Sequence, residues 1–134
     1  MTGRVHAARS EPPPDDVPSV AERLRFLAAP ATYRGTHAGA SSVEIVETHM
    51  AWVFLARERA WKLKKPVHTS YLDFSTLAAR EHACREELRL NARLAPGVYL
   101  GLDALCWDGR SLSLVPEAAR ERGGRTLDWL VRMR

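Results

Sequence analysis

The longest helical pattern in this chain runs from about Thr76 to Ala95, with Ser75 as candidate N-cap and Pro96-Gly97 as its stop. At 1.5 Å per residue such a helix is about 30 Å long. The apolar residues around it come in shorter runs, so the chain asks for a sheet against which one long helix can pack. Val43 to Thr48 alternates as a strand, and Met50 to Leu55 is a continuous apolar stretch that fits a strand covered on both faces. "AWKLKK" follows the polar "ARER", which predicts an antiparallel hairpin. With an even-numbered turn, Trp52 and Phe54 share a face with Trp61 and Leu63, and Ala60, Lys62 and Lys64 face the other way. Pro66 stops that strand. Beyond the helix, Val98 to Trp107 is strand-like, Asp108-Gly109 is a hairpin-turn signal, and Ser111 to Val115 returns. After the "PEAARERGGR" loop, Leu127, Trp129, Val131 and Met133 alternate with their neighbours. The fold class expected is α+β: a five-stranded antiparallel sheet with one long helix after the third strand.

Before the sheet, "SVAERLRFLAA" reads as a short helix with Ser19 and Glu22 as a capping box, ended by Pro30. Residues 1–18, closing in "EPPPDDVP", lack periodic apolar positions and predict a disordered leader. Residues 19–134 form one domain, since 134 residues with 46% apolar content suit a single core.

Charge excludes more than it assigns. The net +4 comes from arginines dispersed among glutamates, as in "REELRLNAR", which reads as a solvated surface, so nucleic acid is not an expected partner. Cys84 and Cys106 have no metal-ligand spacing and are expected to be reduced thiols in a cytoplasmic protein. The five histidines form no H-x₃-H or HExxH set, so no metal site is expected. The longest apolar run, Met50 to Ala56, falls far short of the ~20 residues of a membrane helix.

Two features point to chemistry. All three lysines, Lys62, Lys64 and Lys65, lie within four residues, although the chain has 20 lysines and arginines in total. On the long helix, Ala83, Leu90 and Leu94 define a stripe expected to meet the sheet, and Glu87 lies within it. A carboxylate on a packed face requires a cation, and Lys62 and Lys64 on the non-aromatic strand face are the available ones. The plainer alternative leaves Glu87 hydrated beside Arg85, Glu86 and Arg89, and the lysines as a basic strand end reaching into water.

"VEIVETHMAWVFLARERAWKLKKPV", then "YLDFSTLAAREHACREELRLNARLAP", then "LVRMR" closely resemble the N-terminal lobe of bacterial aminoglycoside-phosphotransferase-like proteins of the kinase-like superfamily, many of which carry a further C-terminal P-loop kinase domain. The resemblance implies a nucleotide-binding lobe. Lys62, in the Ala-x-Lys setting that begins at Ala60, would contact the α- and β-phosphates of ATP, with Lys64 as fallback. Glu87 would orient that lysine, with Glu86 as runner-up. The "ETHMA" turn would cover the nucleotide through backbone N–H groups and side-chain donors of Thr48 and His49, since no G-x-G-x-x-G is present. Met133 would lie where adenine meets the backbone.

The acceptor-activating and Mg²⁺-binding residues of such enzymes belong to a C-terminal lobe, and no H-x-D-x-x-x-x-N, D-x-G or G-x-x-x-x-G-K-[ST] occurs in these 134 residues. No phosphotransferase activity is therefore expected from them alone. The expected partners are a nucleotide and a separately encoded catalytic lobe, or a second copy meeting the exposed cleft face. The alternative reading is a non-catalytic α+β interaction domain that keeps the lobe's shape.

Overall fold

The computed structural model describes residues 17–34 and 41–134. Residues 1–16 of the expected leader lie outside the described residues, but its last member, Pro18, is buried and its carbonyl accepts a 2.9 Å hydrogen bond from Arg23 Nε. The α+β class holds, with six strands rather than five: β1 (Glu44–Glu47), β2 (Ala51–Ala56), β3 (Arg59–Lys64), β4 (Tyr99–Trp107), β5 (Leu112–Pro116) and β6 (Arg125–Met133). All pair antiparallel in the order β1-β2-β3-β6-β4-β5. Each of the six matches a segment expected to be extended, so only the count differs, and β5, the return arm of the Asp108-Gly109 hairpin, completes an outer edge. Asp108 Oδ1 accepts from the N–H groups of Arg110 and Ser111, both at 2.8 Å, and Gly109 supplies the positive φ of +99° that the turn requires.

The β2–β3 register follows the even turn, Arg57-Glu58. Phe54 pairs with Trp61 and Trp52 with Leu63, so the aromatics share one face, and Ala60, Lys62 and Lys64 take the other. β6 lies between β3 and β4 and is buried without a break from Leu127 to Val131. Its alternating sequence suggests one wet face, but a central strand with elements on both sides has none.

Two helices cover the two faces. The 18-residue α2 (Leu77–Leu94) lies on the lysine face, where Cys84 packs with Leu102, Ala104, Trp129 and Val131. α1 (Val20–Ala28) covers the aromatic face together with the 3₁₀ segment Pro30–Tyr33, burying Leu27 and Tyr33 against Phe54, Trp61, Leu63 and Leu130. The capping box of α1 is present: Ser19 Oγ accepts from Glu22 N–H at 3.1 Å, and Glu22 Oε1 accepts from Ser19 N–H at 2.8 Å. The expected loop after β5 is a 3₁₀ segment, Glu117–Gly123. A Cβ at Gly123 would stand 2.6 Å from the Cβ of Cys106, so only glycine lets that segment close on β4.

The N-cap of α2 is Thr76, not Ser75: Thr76 Oγ1 accepts from Ala79 N–H at 3.1 Å, while Ser75 N–H donates to Asp73 at 2.9 Å. The seating face of α2 also differs from expectation. Leu94 is 81% and Leu90 49% exposed, whereas Arg80 and Cys84 are buried with Leu77 and Leu88 beside them. Of the expected stripe, Glu87 alone meets the sheet through charge.

Candidate functional site

Strand alternation sends Lys62 and Lys64 to the α2 side of the sheet, and the helix returns Glu87 to them. Lys64 Nζ donates to Glu87 Oε1 at 2.7 Å, and Lys62 Nζ donates to Glu87 Oε2 at 3.2 Å. One carboxylate therefore bridges two ammonium groups, one per oxygen. The Lys64 and Glu87 side chains are 10% and 12% exposed, and that of Lys62 is 32% exposed. Burial pushes the Glu87 carboxyl up, but the hydrogen bond and charge of Lys64, followed by those of Lys62, outweigh it and hold the group below its ordinary value. The hydrated alternative for Glu87 does not hold. Glu86, the runner-up, bonds Arg89 on its own helix at 2.8 Å, away from the lysines.

Ala60 is paired with Met133 and Lys62 with Val131, so the strand period gives Lys62 an apolar floor of Ala60, Val131 and Met133 on its own face. The expected residues Lys62, Glu87, Ala60, Met133 and Lys64 thus gather on one side of the sheet. Thr48 and His49 occupy the exposed β1–β2 turn beyond the Ala51–Lys64 pair. There Thr48 Oγ1 accepts from the N–H groups of Met50 at 3.3 Å and Ala51 at 3.0 Å, so the hydroxyl and two of the amides expected to face a phosphate are engaged within the turn. His49 is the turn residue with an uncommitted donor among the described residues. The third lysine serves the sheet edge instead. Lys65 Nζ pairs with Glu47 at 2.5 Å and lies 5.1 Å from the centre of the Trp52 ring, which ties β1 to the end of β3.

Two buried aspartates, Asp128 and Asp103, go beyond the sequence expectations. Past the last β3–β6 pair, Leu63–Leu130, Arg80 Nε donates to Asp128 Oδ1 at 3.1 Å, and Arg80 Nη1 donates to the Phe74 carbonyl at 2.8 Å. Burial pushes the Asp128 carboxyl up, against the charge of Arg80. On the aromatic face, which strand alternation gives to Asp128 as well, Trp61 Nε1 donates to Asp103 Oδ2 at 2.7 Å, and Arg132 pairs with the same carboxylate. The available signal is an aspartate inside each apolar strand run, "LGLDALCW" and "TLDWLV".

Chemically, the centre holds more cationic than anionic groups. Two ammoniums against one carboxylate leave one positive charge uncompensated, on the more open lysine. The Cys84 thiol on the same helix face is not an activated nucleophile, because burial pushes it up to about 12. Among the described residues no cluster of His, Cys, Asp or Glu is placed to hold a metal ion, and no helix is long and apolar enough to cross a membrane.

Over 60 residues the chain is 52% identical to uncharacterized proteins of Mycobacterium tuberculosis (strain H37Rv) and Mycobacterium bovis. The match takes in 45% of this chain and 12% of each relative's length, so the chain corresponds to a small part of those proteins. No family model and no solved structure matches the chain.

Proposed function

We propose that this domain is the nucleotide-binding lobe of a kinase-like, aminoglycoside-phosphotransferase-type ATP-dependent transferase. The observation that carries the reading is the Lys62–Glu87–Lys64 cluster, a buried carboxylate with one ammonium more than it can neutralise, set beside an apolar floor. A nucleoside triphosphate supplies what that surface lacks: anionic oxygens for Lys62 and a flat apolar base for Ala60 and Met133. The long helix after the third strand, docked by its glutamate on a lysine of that strand, is the arrangement the resemblance implies. Residues that bind Mg²⁺ and activate the acceptor would come from outside these 134 residues, so the domain binds nucleotide and does not turn it over by itself.

The test is thermal melting of the full chain with and without ATP and Mg²⁺. With ligand at about a hundred times Kd, mass action contributes about 2.7 kcal/mol, a rise in Tm on the order of 10 °C for a domain of this size. Lys62→Ala should abolish the shift. Identical wild-type curves with and without ATP overturn the reading. They would favour the interaction-domain alternative, for which Leu90, Leu94 and Val98, exposed at the end of α2 and just beyond it, provide an apolar contact surface.

A further inference from the structure

We infer that Lys64 is the positioning residue that holds Glu87 and docks α2, leaving the Lys62 ammonium free to engage the phosphates of a nucleoside triphosphate. This rests on the nucleotide-lobe reading and adds to it a division of labour that a single lysine–glutamate pair lacks. The two lysines sit two residues apart on one strand face, yet their surroundings differ. Lys64 makes the shorter bond to Glu87, 2.7 Å against 3.2 Å, and its side chain is 10% exposed against 32% for Lys62. The Phe74 ring lies 5.5 Å from the Lys64 ammonium, which encloses it further. Lys64 is the more closed to a ligand, and Lys62, beside Ala60 and Met133 on the same face, is the more open.

The physical need for two lysines follows from burial. If one ammonium served both groups, its movement towards a phosphate would leave Glu87 buried without a cation, which is far costlier than the original pair was favourable. The carboxylate would then have to take up a proton as ligand bound. With Lys64 fixed, Glu87 keeps its counterion whichever way Lys62 turns, and α2 stays docked with or without nucleotide. The charged groups that face Glu87 are Lys62 and Lys64 of β3, and on its own helix the nearest titratable group inside the core is the Cys84 thiol, which burial keeps neutral. β4 and β6 present apolar side chains, Leu102, Trp129 and Val131, to that side of α2.

Two measurements on the full chain test this, with Lys62→Met, Lys64→Met and Lys64→Arg. In hydrogen exchange without nucleotide, α2 amides in Lys64→Met should lose protection roughly ten- to a hundredfold, while those in Lys62→Met stay close to wild type. In calorimetric ATP titrations across buffers of different ionisation enthalpy, Lys64→Met should take up roughly one more proton on binding than wild type does, and Lys64→Arg should remove that excess. Lys62→Met should lose most of the ATP affinity while α2 remains protected. If Lys62→Met unfolds or frees α2 as much as Lys64→Met does, the division of labour is overturned. Equal proton uptake by wild type and Lys64→Met overturns it as well. Should Lys64→Met fail to fold, Lys62→Met decides alone, by keeping or losing a protected α2. A wild-type chain that binds no ATP but shows the exchange pattern overturns the nucleotide reading, and with it the phosphate role of Lys62, while leaving Lys64 as the anchor of the helix.

Discussion

A carboxylate with an ammonium on each oxygen is held differently from one with a single partner, because the more open ammonium can turn away without leaving it bare. Glu87→Gln instead leaves two cations around a neutral amide, one of them nearly enclosed, and we expect a cost on the order of 2 to 4 kcal/mol in urea denaturation. In double-mutant cycles the Glu87–Lys64 coupling should exceed the Glu87–Lys62 coupling. Equal couplings would mean that the difference in enclosure has no energetic weight. The pH dependence has a definite sign. Because the folded Glu87 carboxyl lies below its ordinary value of 4.5, its stabilisation is complete above that value and is lost as pH falls through the folded one. Urea midpoints taken from about pH 6 down to about pH 3 should therefore fall less steeply in Glu87→Gln. Elsewhere positive charge is carried by arginine, whose planar fork suits different contacts: Arg85 and Arg120 lie over the Trp129 ring at 5.2 and 5.8 Å, and Arg80 spans Asp128 and a carbonyl. Lysine is kept where a compact charge meets a carboxylate.

At the scale of elements, α2 is seated by ions as much as by oil. Arg80 meets Asp128, Glu87 meets β3 seven residues on, and Cys84 fills the space between them. This is why periodicity alone points to the wrong face: with Leu90 and Leu94 on one stripe and Leu77, Cys84 and Leu88 on the neighbouring one, the 3.6-residue period marks both without choosing. The choice depends on partners in β3 and β6. Adjacent hydroxyls create a similar ambiguity at the helix start, and here the prediction is simple. Thr76→Ala should cost about 1 kcal/mol in urea denaturation, and Ser75→Ala should leave the cap bond intact and cost less. Equal losses would assign the cap to neither. By contrast, the β2–β3 register is fully legible, since an even turn and a period of two fix which residues share a face.

For the molecule as a whole, the sheet is enclosed between α2 on one side and α1 with its 3₁₀ segment on the other, so neither cover is dispensable. Tyr33 lies tilted against Trp61 with ring centres 4.5 Å apart, and Leu27 beside it is fully buried. Leu27→Ala should therefore cost about 2 to 5 kcal/mol in urea denaturation. A chain beginning at residue 41 would expose Phe54, Trp61, Leu63 and Leu130 together and should lose its cooperative unfolding transition. Retention of that transition would show that α1 is an accessory. By itself the sequence determined the elements, the facing of the two lysines and the presence of a glutamate able to meet them, because these follow from local period, turn length and capping. Tertiary structure decided that β6 is an inner strand between β3 and β4, which stripe of α2 is buried, and which lysine is enclosed. Those outcomes depend on contacts between residues far apart in the chain, and no local pattern records the neighbour a side chain meets only when the core closes.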